Sequence, residues 1–306
     1  MGAKLELIKN DANIERLLKS SRDLIARDFK KSSLEFITDD ENGVIGNGKM
    51  LRSRMAFRIG PVAGTESETL IHAATAIEMI HTASLLHDDV IDGGQMRRSA
   101  PSFWVERGIP GAILLGDFLL FKALDIICQA ESGLTHPMVK FVGEMCMAES
   151  EQELVQRGDS ITWDDCFNVA RHKTGSLFAF IGYASAANDH ELRDALTEAG
   201  YAVGTAYQLA DDIMDAKGSP ENSGKTLGTD GARNINTAMS FVDGEHRVNP
   251  VNSVKETLSA AEGLLSPWPE VLEAWHVYME KDMWPSMSQM LGIKEEWLNT
   301  PEKPAD

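Results

Sequence analysis

Apolar residues recur at intervals of three and four along almost the whole chain. The pattern is clear from Leu70 to Leu85 and returns from Phe118 to Ile127. This spacing puts apolar side chains on one face of a helix, and runs with the alternation typical of strands are absent. We therefore expect an all-α protein of roughly ten to twelve helices.

The chain shows no internal division. No linker rich in Pro and Ser separates two halves of different composition, so one large helical domain over residues 1–306, with a core from about 10 to 290, is the simplest organisation. The exception is the polar segment from Ala216 to Asn234. Loops of that length inside a compact domain are usually functional or mobile.

The net charge limits the partners. Against 29 Lys and Arg the chain has 47 Asp and Glu, a formal charge of −18. Such a chain repels nucleic acid and anionic membranes, so we expect no nucleic-acid partner. An acidic enzyme that handles anions needs local basic groups or metal ions.

The cysteines and the apolar segments favour a cytoplasmic protein without a membrane span. Cys128, Cys146 and Cys166 have neither metal-site nor disulfide spacing, so we expect buried thiols in a reducing compartment. The first thirty residues form an amphipathic charged helix rather than an apolar leader. The most apolar stretch, from Ala112 to Ile127, is interrupted by charges and cannot cross a bilayer.

An acidic pattern occurs twice. The first aspartate motif is Asp88-Asp89-Val90-Ile91-Asp92, and the second is Asp211-Asp212-Ile213-Met214-Asp215. Residues four apart stand one above the other on a helix, so the first and last aspartates of each motif project from one face. Like charges at that spacing destabilise a helix unless a cation binds between them.

The position of the two motifs favours a metal site over a solvated acidic face. Both end strongly apolar helices, where carboxylates oppose the helix macrodipole and a bound cation compensates. Carboxylate oxygens without His or Cys suit Mg²⁺. The predicted metal ligands are Asp88, Asp89, Asp92, Asp211, Asp212 and Asp215.

Basic residues are scarce, and several lie near these motifs in sequence. Arg forks and Lys point charges of this kind can hold a diphosphate that Mg²⁺ bridges to the aspartates. A nucleotide-binding P-loop is excluded, because the glycines of 218–226 are wrongly spaced and follow a helix. The basic residues concerned are Lys49, Arg52, Arg54, Arg58, Arg97, Arg98, Arg171, Lys173 and Lys225.

Together these residues resemble the trans-isoprenyl diphosphate synthase (polyprenyl synthetase) family. Gly48–Arg52 is similar to its GKxxR signature, and Leu85–Arg98 to its first aspartate-rich motif with the arginine pair. Lys173-Thr174 resembles the KT motif. Gln208–Asp215, followed by Gly224-Lys225, resembles the second aspartate-rich motif.

The resemblance implies an antiparallel helical bundle around a deep central cavity and, in solution, a homodimer. About three Mg²⁺ ions would hold the diphosphate of an allylic substrate between the two motifs. That substrate would ionise, the double bond of isopentenyl diphosphate would attack the cation, and loss of a proton would complete a five-carbon extension.

The resemblance also implies a role for each matching residue. Isopentenyl diphosphate would be held by Lys49, Arg52, His81 and Arg98. The allylic diphosphate would be held by Arg97, Lys173, Gln208 and Lys225, and Thr174 would line the cation site. The catalytic set would be Asp88, Asp89, Asp92, Lys173, Asp211 and Asp212.

Two of the departures from the family pattern concern the GKxxR signature and the segment after the second aspartate motif. Ser53 stands where the family usually has Pro. The family's Gly-Lys-x-Thr reads Asn234-Ile235-Asn236-Thr237, so a lysine that grips the allylic diphosphate is missing unless Arg233 substitutes for it.

Two small residues bear on product length. Ala83 and Ser84 occupy positions where aromatic residues stop elongation in the family, so we expect a product of twenty carbons or longer. Ile77, Ile80, Phe118 and Phe121 are candidates for the cavity floor, although plain core packing is at least as good an explanation for each.

Two other functions stay open. A class I terpene cyclase also uses an aspartate-rich motif and Mg²⁺, although a second motif of a different type is usual there. A weakly active or regulatory subunit of a heteromeric prenyltransferase fits the missing lysine, while the intact aspartates argue against it.

Overall fold

The computed structural model describes residues 2–30, 34, 48–130, 133–186, 189–217, 233, 235–242 and 248–293. Helices dominate these residues, which confirms the all-α prediction. The single domain over 1–306 stays a prediction. The elements in chain order are α1 (Gly2–Lys9), α2 (Asp11–Phe29), α3 (Leu51–Ala63), α4 (Ser67–Asp92), β1 (Met96–Arg97), β2 (Ala100–Pro101), α5 (Phe103–Gln129), α6 (Thr135–Leu154), α7 (Trp163–Lys173), α8 (Gly175–Ser185), α9 (His190–Lys217), a 3₁₀ turn (Ala238–Phe241), α10 (Pro250–Leu265), α11 (Pro269–Tyr278), a π-helical turn (Met279–Met283) and α12 (Trp284–Leu291).

The helices surround one continuous apolar core. The helix α4 packs on α5 and α3, α9 packs between α8 and α10, and α3 also contacts α8 and α11. The two aspartate motifs therefore stand on different helices that share this core. Among the described residues, no helix is long and apolar enough to cross a membrane.

Glycines let α8 and α9 approach closely. A Cβ atom at Gly182 would overlap the carbonyl oxygen of Leu196, and one at Gly200 would lie 2.5 Å from the carbonyl oxygen of Phe178. A Cβ at Gly204 would lie 2.5 Å from the Cα of Gly175. These contacts fix the position of α9, which carries the second aspartate motif.

Several local features differ from the sequence-based expectation. The antiparallel pair β1 and β2 forms a short hairpin after the first aspartate motif, where no strand was predicted. The helix α5 contains a kink at Gly108, which the apolar spacing does not indicate. The expectation of buried thiols is wrong for Cys128 and Cys146, which are exposed, and correct for Cys166.

The close approach of α8 and α9 predicts a large effect for a single methyl group. Gly182→Ala drives a Cβ into the backbone of α9, so we expect a loss of about 1–3 kcal/mol in the free energy of unfolding, measured by urea denaturation. The matched control is Gly143→Ala on α6, where a Cβ meets no atom within 4 Å. That control gains helix propensity of up to about 1 kcal/mol and should not be destabilised. Equal destabilisation of both variants would contradict this account.

Candidate active site

A cavity of about 640 Å³ lies between α3, α4, the hairpin and the helices α5 to α9. It brings together most of the predicted site residues, although they are spread over much of the sequence. The candidate cations Arg54, Arg58 and Arg171 do not line it and form ion pairs with carboxylates elsewhere. Those that line it are Lys49, Arg52, His81, Ser84, Asp88, Asp89, Asp92, Arg97, Arg98, Lys173, Thr174, Gln208, Asp211, Asp212 and Asp215.

A few predicted residues lie elsewhere. Ala83 is fully buried in the core and does not line the cavity. The same holds for the floor candidates Ile77 and Ile80, while Phe121 is 72% exposed on the outside of α5. Lys225 lies outside the described residues.

The first aspartate motif divides its carboxylates between two tasks. Arg97 holds both oxygens of the buried Asp89, with its Nε 2.9 and 2.8 Å from them. Since Asp88 and Asp92 are one turn apart on α4, they present their carboxylates to the cavity together. The middle aspartate therefore anchors the arginine of the hairpin.

The second motif follows the same division. Gln208 Nε2 donates to Asp212 Oδ1 at 2.8 Å, and the backbone N–H of Ala238 donates to Asp212 Oδ2 at 3.0 Å. Thr174 Oγ1 donates in turn to Gln208 Oε1 at 2.5 Å. The middle aspartate thus connects α9 to the KT pair on one side and to the 3₁₀ turn on the other.

Lys173 and Asp88 face each other in the negatively charged half of the cavity. The Nζ of Lys173 lies 2.6 Å from Glu149 Oε2 and donates to Gln152 Oε1 at 3.1 Å. Burial raises the pKa of Asp88 to about 7, with a further rise from Glu149 and Asp92 that Lys173 opposes. Burial also disfavours the charged lysine, but Glu149 and Asp88 outweigh it and raise the pKa of Lys173.

The opposite half of the cavity is cationic. Arg52 is 9% exposed, its guanidinium lies 4.6 Å from the ring centroid of Phe178, and its Nε has no hydrogen-bond partner in the described chain. Burial, followed by the charges of Arg52, Arg98 and Arg97, holds the pKa of His81 well below its usual value. The imidazole is therefore neutral among cations, and this half of the cavity is suited to an anion.

Residues outside the predicted set support the cations. Lys49 Nζ donates to Ser286 Oγ at 2.7 Å, and Tyr207 OH lies 3.5 Å from the same oxygen. Sequence inspection carries no signal for Ser286, because it comes from α12 at the far end of the chain. Tyr207 could have been identified as a site residue from its position next to Gln208.

The departure at Ser53 has a structural explanation. Ser53 donates from Oγ (2.9 Å) and from its backbone N–H (3.3 Å) to Glu78 Oε1. Proline could make neither hydrogen bond. Glu78 lines the cavity beside Arg52. Its position three residues before His81 could have identified it as a site residue from the sequence.

The second departure places an arginine at the aspartates. Ile235 is buried at the position of the family's lysine, whereas Arg233 forms ion pairs with Asp92 and Glu153. Arg157 Nε donates to the backbone oxygen of Arg233 at 3.0 Å. This segment therefore does place a cation, Arg233, at the first aspartate motif. The guanidinium is paired with the carboxylate of Asp92.

The carboxylates that line the cavity suit a Mg²⁺ ion that is bound partly by the protein and partly by waters and substrate. Among the described residues, no three His, Cys, Asp or Glu side chains form a ready-made metal cage. Mg²⁺ is usually held by one or two carboxylates, waters and substrate phosphates rather than by a cage of protein ligands. The paired aspartates of α4 and α9 face a cationic pocket. This arrangement suits Mg²⁺ ions that are bound both by the aspartates and by a diphosphate.

Sequence comparison decides the family. The sequence profile described as polyprenyl synthetase matches residues 41–261. The chain belongs to the polyprenyl synthetase family. It is 36% identical to octaprenyl diphosphate synthase of Haemophilus influenzae over 192 residues, which are 61% of this chain and 58% of that protein.

Relatives with other names are similarly distant. Geranylfarnesyl diphosphate synthase of Methanosarcina mazei is 33% identical over 206 residues, 66% of this chain and 67% of its own length. A (2E,6E)-farnesyl diphosphate synthase of Mycobacterium tuberculosis is 28% identical over 202 residues, 63% of this chain and 56% of that protein. The chain thus spans less than two thirds of the Haemophilus and Mycobacterium relatives.

Two solved structures have the same fold. A polyprenyl synthase from Caulobacter crescentus, complexed with calcium and isoprenyl diphosphate, superposes with a TM-score of 0.72 at 23% identity, covering 92% of this chain and 94% of that one. Geranyltranstransferase from Thermotoga maritima gives a TM-score of 0.70 at 23% identity, covering 88% and 96%.

Proposed function

We propose that this polyprenyl synthetase condenses isopentenyl diphosphate with an allylic prenyl diphosphate to form a linear trans-polyprenyl diphosphate. The observation that carries the proposal is the division of the cavity into two charged halves. One half holds the paired aspartates on α4 and α9, and the other holds Lys49, Arg52 and Arg98. Two substrates that each end in a diphosphate need such a pair of sites.

Isopentenyl diphosphate belongs in the cationic half. The unpartnered Nε of the buried Arg52 supports a ligand there, because a buried donor left without an acceptor is costly. Lys49 and Arg98 add charge, and the neutral His81 can donate one N–H. None of these groups needs to change protonation during the reaction.

The allylic diphosphate belongs between the aspartate motifs. Bound Mg²⁺ ions, about three as in the family, would neutralise the diphosphate and stabilise it as a leaving group. Arg97 is held by Asp89 at the edge of this half, and Lys173 stays charged beside Asp88. Both cations stabilise the negative charge that develops on the leaving diphosphate.

The chemical step follows from this arrangement. The carbon–oxygen bond of the allylic diphosphate breaks, and its electron pair leaves with the diphosphate. The isopentenyl double bond then attacks the allylic cation, and the departing diphosphate takes the proton that is lost. The cation is lined by Thr174, whose hydroxyl is held by Gln208.

The proposal predicts Mg²⁺-dependent elongation. The protein, Mg²⁺ and labelled isopentenyl diphosphate are incubated with each allylic primer from five to twenty carbons, and the dephosphorylated products are sized. We expect linear extension with at least one primer. Asp88→Asn and Asp211→Asn should each lower the rate roughly 100-fold or more, because each removes a charge from the metal site.

The control variant is Asp194→Asn, an exposed aspartate on the same helix as the second motif. Its rate should match the unchanged protein. No extension with any primer would overturn the synthase proposal and favour a regulatory subunit. Cyclic hydrocarbon formed without isopentenyl diphosphate would favour a terpene cyclase.

We also propose a product of twenty carbons or longer. Ser84 lies one helical turn before Asp88 and lines the cavity, where a small side chain leaves room for a growing chain. The lining also includes apolar side chains from three other helices, Leu120, Met145 and Leu177. The relatives differ in product length, so their names leave this length open.

Ser84→Phe tests the length proposal. A ring at this position fills the space below the first aspartate motif, so we expect the main product to shorten by at least one five-carbon unit. Ser84→Ala is the matched control and should keep the product of the unchanged protein. An unchanged distribution with Ser84→Phe would contradict the model.

We propose further that the protein is a cytoplasmic homodimer. Large apolar side chains are exposed on two consecutive helices: Leu114 (68%) and Phe121 (72%) on α5, and Met147 (68%) on α6. Exposed apolar groups concentrated on one side mark an interface. A second copy related by a two-fold axis would cover both helices at once.

Phe121→Asp combined with Leu114→Asp tests the dimer by sedimentation velocity. Charges in the middle of an apolar interface should convert a dimer into a monomer. Leu264→Asp is the control, since this residue on α10 is also exposed (43%) but belongs to neither helix. A monomeric unchanged protein would overturn the proposal.

A further inference from the structure

Backbone strain is concentrated beside the cationic half of the cavity. Among the described residues, three other than glycine have a positive φ: Met50 (50°), Arg98 (52°) and Ser99 (63°). They come from two separate segments, and both segments carry cavity cations. Such a conformation is uncommon for residues other than glycine and persists only where the surroundings impose it.

Arg98 and Ser99 form the turn of the hairpin. Arg97 pairs with Ala100 across the two strands, which leaves Arg98 and Ser99 as the two central residues. Positive φ at both is the type I′ turn, for which Asn-Gly is favoured. Neither arginine nor serine fits it well.

Contacts on both sides hold the hairpin in this form. Arg97 is bound to Asp89 of α4, as described above. The indole Nε1 of Trp104 donates to the backbone oxygen of Gly94 at 2.8 Å, and the N–H of Ser102 donates to that of Gln95 at 2.9 Å. The base of the hairpin is therefore fixed by contacts that do not involve the two turn residues, Arg98 and Ser99.

The turn determines where Arg98 points. Its guanidinium lies against Gly48, so close that a Cβ there would be 2.8 Å from Nη2. It thereby approaches the segment that carries Lys49. Ser99 is exposed, and its hydroxyl makes no hydrogen bond in the described chain, so its contribution comes from its backbone.

We propose that Ser99 is a positioning residue for the isopentenyl diphosphate site. Its left-handed backbone closes the turn that aims Arg98 at Gly48, and so holds Arg98 beside the segment that carries Lys49 and Arg52. The cations are then assembled before the anion arrives. This inference rests on the proposed function.

Two substitutions at position 99 test it in opposite directions. Valine disfavours positive φ and glycine favours it. Ser99→Val should raise KM for isopentenyl diphosphate roughly fivefold or more, while kcat and KM for the allylic substrate stay within about twofold. Ser99→Gly should leave KM for isopentenyl diphosphate unchanged or lower it, with no loss of Tm.

Ala100→Val is the matched control, because the next residue is equally exposed and has ordinary strand geometry. It should leave KM unchanged. In an Arg98→Ala background, Ser99→Val should add nothing, since Ser99 acts through Arg98. The proposal is overturned if Ser99→Val has its full effect in that background, if Ser99→Gly raises KM equally, or if Ala100→Val does.

Calorimetric binding of inorganic diphosphate in a chelator, where the aspartate half has no metal ion to bind it, separates this inference from the proposed function. If the unchanged protein forms no product, the proposed function fails whatever the variants do. Weaker diphosphate binding by Ser99→Val than by Ala100→Val would still support the positioning role. Equal binding by both would overturn it.

Discussion

The repulsion among carboxylates at the ends of two helices is the constraint on which the rest of this structure depends. The first and last aspartates of each motif share a helix face, and α4 and α9 present them to one cavity at their C-terminal ends. The helix macrodipole adds to the unfavourable energy there. Burial compounds it, as the raised pKa of Asp88 indicates.

The chain limits this repulsion with its own cations and with its middle aspartates. Lys173 approaches Asp88 from α7, and Arg233 pairs with Asp92. Asp89 and Asp212 instead make hydrogen bonds that fix Arg97, Gln208 and the 3₁₀ turn. Each motif therefore combines two carboxylates suited to a metal with one that holds the surrounding structure. Metal ions bridged by a diphosphate would complete the neutralisation.

Much of this site could be predicted, because its groups lie in local patterns. The paired aspartates and the scarce basic residues were visible from spacing and charge. The aspartates meet in one cavity with five of those cations: Lys49, Arg52, Arg97, Arg98 and Lys173. What spacing does not reveal is which helix supports which cation. Ser286 reaches Lys49 from α12, and the contact depends on how the last helices pack.

The remaining errors have similar physical causes. Ala83 and Ser84 are neighbours in sequence, but a helix turns by about 100° per residue, so only Ser84 faces the cavity. Phe121 matched the apolar period of α5 yet lies on its outer side, because periodicity does not tell a buried apolar face from an exposed one. The hairpin was missed since its turn uses Arg and Ser, which are not typical of hairpin turns.

We expect the two aspartate motifs to act together on a metal-bound diphosphate. Calorimetric titration of the protein with inorganic diphosphate, in Mg²⁺ and in a chelator, tests it without requiring turnover. The account predicts that Mg²⁺ tightens diphosphate binding at least about tenfold, and that Asp92→Asn and Asp215→Asn each remove most of this coupling. Equal diphosphate affinity with and without Mg²⁺ would contradict it.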